Sequence, residues 1–268
     1  MPKTNFRPDV NGFAFSNRWD INPAEVDKVR QVFRDATSFA STALKFLRAS
    51  PLAWLIFRNI RNQLGGWIDV ASVQAYGLCG GMAFAALDYY ARPDIHFPRG
   101  AGSENRPSPN DPQGERLRIY LFNRLLDSLA ENVSTFLVWM AFLHLVPDNP
   151  LFGGGPRWLS RQSARQWKTL KTYIDAGRAW PIGLVGTTTD PTHNHQVVAC
   201  GYDDPGDGTG TLYIYDMNHP GEERTIKITF GDRMLEAVEK DKESRGQLRG
   251  FFCEQYEINL GPPVVTWP

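Results

Sequence analysis

The hydrophobic pattern of this 268-residue chain changes once, near Pro181. Before that point, apolar residues recur every three or four positions, which is the spacing of one face of a helix. After it, short β-prone runs are separated by Gly, Pro and Asp turns, which indicates an antiparallel sheet. The sequence therefore predicts an α+β fold. We expect one domain over 1–268, with a helical lobe over about 20–178, a β lobe over about 179–260 and a cleft between them.

Helix signals divide the first part of the chain into several segments. Asn22, Pro23 and Glu25 supply an N-cap, a first-turn proline and a capping-box glutamate, so a long helix should begin at Pro23 and run to about Arg48. The apolar pattern continues over 51–63, and further helices are predicted at 79–91, 115–130, 134–146 and 160–175. Gly177 is placed to end the last of these helices.

Five strand-like runs follow from Pro181: PIGLVGTTT, HQVVACGY, TLYIYDM, RTIKITF and GFFCEQYEINL. Two other segments lack a regular period. Residues 93–114 hold five Pro and three Gly in 22 positions, which indicates either a lid bordering the site or a solvated insertion. Residues 239–245 carry six charges in seven positions and are expected to form a solvated helix end or loop.

Charge and hydropathy argue against several classes of function. The chain has 29 Lys+Arg and 29 Asp+Glu, and a formal net charge of zero disfavours nonspecific binding to nucleic acid or anionic membranes. The longest nearly apolar run, 136–146, is roughly half of the ~20 residues that a membrane-spanning helix requires. No apolar signal segment is visible at the start, so the default expectation is a soluble, cytoplasmic chain. Three cysteines, an odd number, do not make a disulfide framework.

The strongest local signal for chemistry is Cys79, in the segment YGLCGGMAFAALDYY at 76–90. The cysteine stands at the start of an apolar helix, where unpaired backbone N–H groups carry about +0.5 charge and stabilise a thiolate. Gly80 and Gly81 have no side chains, so they would let a substrate backbone approach the sulfur. The alternative is a small buried cysteine that only packs.

A nucleophilic thiol needs a base and a group that orients the base. His195 lies where a loop enters a strand, so its ring can reach a cleft. Asp216 ends the next strand, and the register of the hairpin brings it within two residues of the position opposite His195. Three other histidines fit less well, because one lies in an apolar helix and two lie in or beside Pro-containing loops: His144, His96 and His219. The spacing predicts a triad of Cys79, His195 and Asp216.

Metal sites are rival interpretations of the same region. His193 and His195 lie on one face of a strand and could form a zinc site with His219, although no CxxC or HExxH spacing supports it. The Asp- and Gly-rich segment 203–210 resembles a calcium loop, but Pro205 stands where a ligand is needed, and a hairpin turn explains the segment. No phosphate-binding motif is present. We therefore expect no metal and no cofactor.

At these residues the chain resembles the papain-like cysteine peptidases, and most closely the branch related to the double-glycine leader (bacteriocin-processing) peptidases. Three segments carry the resemblance: GLCGGMAF, the run from Trp167 through IDAG to PIGLV, and NHQVVACGYDD with LYIYDMNHPG. The resemblance implies a papain-like fold, in which a helical lobe carrying the Cys packs on an antiparallel β-sheet lobe carrying the His and Asp. It also implies Cys79 as nucleophile, His195 as base and Asp216 as the residue that orients the base.

The family also has an oxyanion-hole Gln about six residues before the Cys. Gln74 precedes Cys79 by five residues and is the candidate for this role. Gln196, next to the proposed base, is a second candidate, and its other interpretation is a strand residue that faces solvent. A backbone N–H of Cys79 would serve as a further donor.

The resemblance implies a cysteine peptidase, that is, a thiol hydrolase that cleaves amide bonds in a peptide or protein substrate. The same apparatus could instead pass the acyl group to an amine, as an acyltransferase does, or deamidate a Gln side chain. The alternative from another class is a catalytically silent papain-like domain that binds a protein partner, because fold and activity are separable.

Overall fold

A computed structural model describes most of the chain: residues 1–17, 22–43, 78–102, 104–108, 110–146, 154–187, 194–231, 235–239 and 247–266. Its helices are α1 (Pro8–Asn11), α2 (Pro23–Ala43), α3 (Cys79–Tyr90), α4 (Pro112–Leu145) and α5 (Gly155–Asp175). Its strands are β1 (Trp180–Gly186), β2 (His195–Asp203), β3 (Thr209–Tyr215), β4 (Glu223–Phe230), β5 (Leu235–Glu239) and β6 (Gln247–Cys253).

The six strands form a closed antiparallel barrel in the order β1 to β6. Strand β1 closes it, since Leu184 pairs with His195 of β2 on one side and with Phe251 of β6 on the other. A sheet closed in this way has no free edge for further pairing. The expected fold class, an α+β, papain-like arrangement of a Cys-bearing helical lobe on a separate His- and Asp-bearing β lobe, is therefore wrong.

Strand β2 is buried on both faces and links the barrel to the helices. Val197 and Ala199 belong to a core shared by the other strands and α5, whereas Val198 and Cys200 belong to a second core with α3 and α4. Because successive side chains of a strand point to opposite faces, one strand contributes to both cores. This explains the nearly continuous apolar run in HQVVACGY, and it places the start of β2 beside the helices.

Helix α3 is buried along its length, from Gly80 to Tyr89. It packs closely against α4, because a Cβ built on Gly81 would lie 2.1 Å from the backbone oxygen of Leu121. The close approach holds the N-terminus of α3 in a fixed position. The absence of a side chain at position 81 thus allows the two helices to pack closely. The expected role of Gly81 in substrate access is corrected.

Several local predictions are confirmed. The Asn22 N–H donates to Glu25 at 3.0 Å and the Glu25 N–H donates to the Asn22 side chain at 3.0 Å, which is the capping box that starts α2. Helix α3 ends at Tyr90, and α5 is followed by Gly177 with φ of 75°. The expected end of α2 near Arg48 and the segment 51–63 lie outside the described residues.

Other local predictions are corrected. The helices expected at 115–130 and 134–146 are one 34-residue helix, α4. Asn132, at the expected break, donates to the Ser128 and Gln255 backbone oxygens and accepts from the Gln255 N–H, so tertiary hydrogen bonds hold the helix there. Strand β5 was not predicted, and Glu239, assigned to a solvated segment, ends it as a buried residue.

The N-terminal segment packs on β2, β3 and the Pro-rich loop. The Phe13 N–H donates to the Tyr215 hydroxyl at 3.0 Å, and the Ala14 N–H donates to the Arg99 carbonyl at 2.7 Å. The loop at 93–114 therefore contacts this segment, and none of its described residues lines the cleft presented below. A search of the described helices finds none long and apolar enough to cross a membrane.

Candidate active site

Cys79 is the first residue of α3, and its side chain is half-buried. The preceding residue, Leu78, provides no side-chain cap, and the first backbone bond of the helix runs from the Met82 N–H to the Leu78 carbonyl at 2.7 Å. The N–H groups of the first turn therefore have no acceptor within the helix. They place partial positive charge around the Cys79 sulfur and offer donors to an anion bound there.

His195 begins β2, and its Nε2 lies 2.6 Å from Oδ1 of Asp216. The last regular pair between β2 and β3 is Val198 with Tyr215, after a register shift between Ala199 and Gly201. Asp216 is thus the first residue beyond β3, at the open end of the hairpin.

A turn after β3 holds the buried Asp216 carboxylate in place. Its Oδ1 also accepts a hydrogen bond from the Asn218 N–H at 2.9 Å, and its backbone carbonyl accepts from the His219 N–H at 2.9 Å. The Asn218 side-chain amide lies 3.1 Å from Nε2 of His195. Asp216 therefore combines two roles that the sequence leaves separate, orienting the imidazole and capping the turn.

The electrostatic environment favours a protonated imidazole. Burial by itself lowers the pKa of His195, but the charge of Asp216 and its hydrogen bond, followed by a hydrogen bond and charge interaction with Cys79, raise that pKa well above its usual value. The thiol and the carboxylate therefore contact the same ring. Because Nε2 faces Asp216, Nδ1 is the ring atom left to face the thiol.

The other two cysteines have a different environment. Burial raises the pKa of Cys200 to about 12 and that of Cys253 to about 12. All three cysteines are unpaired thiols. A thiol with such a pKa carries almost no thiolate near neutral pH, so Cys200 and Cys253 are expected to be unreactive.

Gln196 follows His195 on β2 and is buried, not solvent-facing. Its Oε1 lies 3.9 Å from the Cys79 sulfur, and its Nε2 donates to Ser128 Oγ and to Glu254 Oε1, each at 2.5 Å. A Cβ built on Gly80 would lie 2.2 Å from Gln196 Oε1 and 2.6 Å from Ser128 Oγ. Position 80 therefore lacks a side chain because the Gln196 amide occupies that space.

The remaining sequence-predicted residues fall into two sets. Gln74 and His193 lie outside the described residues. His96 is exposed in its loop, and His144 is half-buried in the last turn of α4. Ser128 and Glu254 were missed, since neither lies in a motif and only the folded chain brings them to Gln196.

A cleft opens beside Cys79 and His195. Its described polar lining consists of these two residues with Asn194 and Gln196. The rest of the described wall is apolar and comes from α2 and one face of α4: Phe33, Leu125, Leu129, Val133, Phe136, Leu137 and Met140. A concave, mainly apolar pocket with a few convergent polar groups is typical of a ligand site.

Within the described chain, one group of side chains offers three metal-ligand atoms within 4.8 Å of one another: Asp216, His219 and Glu239. The Arg224 guanidinium Nε lies 3.7 Å from Glu239, and a cation there opposes binding of a second cation. Of the zinc set suggested from the sequence, His193 lies outside the described residues, while His195 Nε2 and His219 Nε2 lie 2.6 Å and 3.9 Å from the two carboxylate oxygens of Asp216.

Comparison of the chain with protein-family models, with curated proteins and with solved structures finds no match in any of the three.

Proposed function

We propose that the protein is a cysteine peptidase, a thiol hydrolase that cleaves amide bonds with Cys79 as nucleophile, His195 as acid and base, and Asp216 as the residue that orients the imidazole. The observation that carries the proposal is the one imidazole ring held by Asp216 at 2.6 Å and in contact with the Cys79 thiol at a helix N-terminus. From the resemblance to papain-like peptidases, we retain the order and roles of these residues but not the expected fold.

The geometry suits a two-step reaction. The Cys79 thiol gives its proton to His195 Nδ1, the sulfur bonds to the carbonyl carbon, and the carbonyl π electrons move to oxygen. Backbone N–H groups at the start of α3 face this oxyanion. His195 then protonates the amide nitrogen as the C–N bond breaks, which leaves a thioester. Water gives a proton to His195 as its oxygen bonds to the thioester carbon. The C–S bond then breaks, the carboxylic acid leaves, and His195 returns the proton to the sulfur, which restores the Cys79 thiol.

The cleft indicates the chemistry of the acyl group. Apart from its four polar residues at one end, its described wall is aliphatic and aromatic, so an apolar substrate side chain gains free energy by leaving water there. We therefore expect a substrate with an apolar residue on the acyl side of the cleaved bond. Transfer to an amine would use the same acylation step, with an amine in place of water as the acceptor. Deamidation of a Gln side chain would also use it, with ammonia as the leaving group.

Labelling with iodoacetamide at pH 7, followed by peptide mapping, tests the nucleophile. Cys79 should be modified far faster than Cys200 and Cys253, which serve as controls within the same chain. His195→Ala should slow modification of Cys79. Equal labelling of the three cysteines, or none at Cys79, would favour a catalytically silent binding domain.

Acylation can be followed with the p-nitrophenyl esters of acetate, butanoate and octanoate. We expect a burst of one p-nitrophenolate per chain, faster for octanoate than for acetate because of the apolar wall, and no burst from Cys79→Ala. A burst that persists in Cys79→Ala would overturn the proposed nucleophile.

A further inference from the structure

Glu254, directly after β6, is a buried acid that the proposed reaction does not use. Its side chain is 2% exposed. Oε1 accepts a hydrogen bond from Gln196 Nε2 at 2.5 Å, whereas Oε2 is buried and has no hydrogen-bond partner in the part of the chain that the structure describes. An ionised carboxylate is costly in this setting and a neutral carboxylic acid is not. Accordingly, burial raises the pKa of Glu254 to about 8, although Gln196 and His195 both oppose the rise.

Barrel closure brings Glu254 to the site. Gly183 of β1 pairs with Gln196 on one side and with Phe252 on the other, so these three residues form a row across three strands. Glu254 lies two residues beyond Phe252 and is joined to β1 by its N–H, which donates to the Pro181 carbonyl at 3.0 Å. Residues two apart point to the same face of a strand, so Glu254 and Gln196 meet on one face.

The Gln196 amide has two partners that can each donate or accept a hydrogen bond. Ser128 has a hydroxyl, and Glu254 in its acid form has a carboxyl O–H and a carbonyl oxygen. With Nε2 turned toward these partners, Oε1 faces the Cys79 thiol at 3.9 Å and can accept its S–H. Once Cys79 has lost its proton, this orientation is unfavourable, because a lone pair of Gln196 Oε1 then faces the negatively charged sulfur.

We propose that Glu254, as a neutral acid, is a positioning residue that allows the Gln196 amide to turn by half a rotation and present its NH₂ group to the sulfur and to the oxyanion. In that orientation Gln196 Oε1 accepts from the Glu254 O–H and the Ser128 O–H, and the Gln196 NH₂ group can donate to the sulfur or to the oxyanion. An ionised Glu254 has no proton to donate, so it retains Nε2 and blocks the turn. The inference rests on the proposed function.

The titratable and charged neighbours of Glu254 come from several elements. His195 on β2 acts on it directly, and Cys253 precedes it on β6. A second, polar cleft that Glu254 also lines includes further charged residues of α4 and the C-terminal segment: Arg124, Asp127, Glu131 and Glu257. Because His195 also loses a proton at alkaline pH, a fall in rate by itself does not identify Glu254, and the test compares two reactions of Cys79.

The first reaction is alkylation by iodoacetamide, which forms no oxyanion and reports the thiolate alone. The second is the burst from p-nitrophenyl butanoate, which forms a tetrahedral oxyanion. In the wild-type chain, the ratio of acylation to alkylation should fall at least tenfold between pH 7 and pH 9.5. Glu254→Gln keeps a neutral donor at all pH values, so it should remove most of this fall. Glu257→Gln, an exposed neighbour, is the matched control and should behave as the wild type.

Gln196→Leu should lower the burst rate by about 10²–10³ and leave Cys79 alkylation within about threefold. A wild-type ratio that does not change with pH, a Glu254→Gln profile equal to the wild type, or a Gln196→Leu burst at the wild-type rate would each overturn the inference. The wild-type measurement needs no variant to fold. Failure of Cys79 to react preferentially with either reagent would instead refute the proposed function, so the two failures are distinguishable.

Discussion

Replacing Asp216 with Asn tests the electrostatic part of the site with little change of shape. Asp216 is fully buried, and its Oδ1 accepts from His195 Nε2 at 2.6 Å and from the Asn218 N–H at 2.9 Å. The amide oxygen of an Asn can accept both hydrogen bonds, so the turn at 216–219 should persist. The substitution chiefly removes the negative charge from beside the imidazole.

The size of the effect follows from the type of hydrogen bond. A bond to a charged partner contributes about 1.5–3 kcal/mol, against about 0.5–1.5 kcal/mol for a neutral bond. The difference, about 1–1.5 kcal/mol, is the stabilisation of the protonated imidazole that the substitution should remove. Asp216→Asn should therefore lower the pKa of His195, whose elevated value depends on the charge of Asp216 more than on the other groups that raise it. Acylation should slow by about 10²–10⁴.

The effect on stability depends on pH with a definite sign. The pKa of His195 is raised on folding, so its contribution to stability is complete below the unfolded pKa of about 6.5 and is lost as the pH rises through the folded pKa. Urea unfolding at pH 6 should show Asp216→Asn less stable than the wild type by about 1–1.5 kcal/mol. The difference should shrink at pH 9.5 and above.

The matched control is Asp204→Asn, at the closed end of the same hairpin, where Asp204 accepts hydrogen bonds from Trp167 and Lys171. This variant should leave the pH profile of Cys79 alkylation unchanged, whereas Asp216→Asn should shift it. If Asp216→Asn lowers stability equally at both pH values and leaves the alkylation profile unchanged, Asp216 only caps its turn and does not act on His195.

Four further outcomes are expected. Gly81→Ala should destabilise the fold by about 1–3 kcal/mol, because its Cβ would lie 2.1 Å from the Leu121 backbone oxygen; Gly80→Ala should instead displace the Gln196 amide and slow acylation more than it lowers the thermal midpoint. Val133→Thr puts a hydroxyl in the apolar wall of the cleft and should reduce the preference for octanoate over acetate severalfold. Equal burst rates for all three esters in the wild type would contradict this expectation. Activity should survive EDTA, and a loss that zinc restores would identify a metal-dependent reaction.

The sequence predicts local structure well where one short segment contains the whole signal. The capping box of Asn22 and Glu25 and the left-handed Gly177 are examples, since each acts within a few residues. The unbroken helix α4 and strand β5 were missed. The helix is held at Asn132 by the distant Gln255 backbone, and β5 is only five residues of alternating burial beside a charged run.

The same distinction applies to the candidate site. Cys79, His195 and Asp216 are recognisable because each stands at the end of an element, where a side chain can reach a cleft. Glu254 has no such context, because it lies inside the predicted strand run GFFCEQYEINL, where a charged residue is expected to face solvent. Its burial depends on the pairing of β1 with β6, which joins segments about 70 residues apart. Charge and periodicity along the chain do not encode that pairing.

If the proposed mechanism holds, barrel closure has a chemical consequence beyond stability. Cys79, His195 and Asp216 come from α3 and the hairpin of β2 and β3, none of which belongs to the seam between β1 and β6. The Gln196 amide differs, because its orientation depends on Glu254, which reaches it only across β1 from β6. If the Gln196 amide donates to the oxyanion, the seam between β1 and β6 controls acylation without controlling the reactivity of the thiol. Weakening the pairing of β1 with β6 should then lower the ratio of acylation to alkylation at Cys79, as ionisation of Glu254 is expected to do.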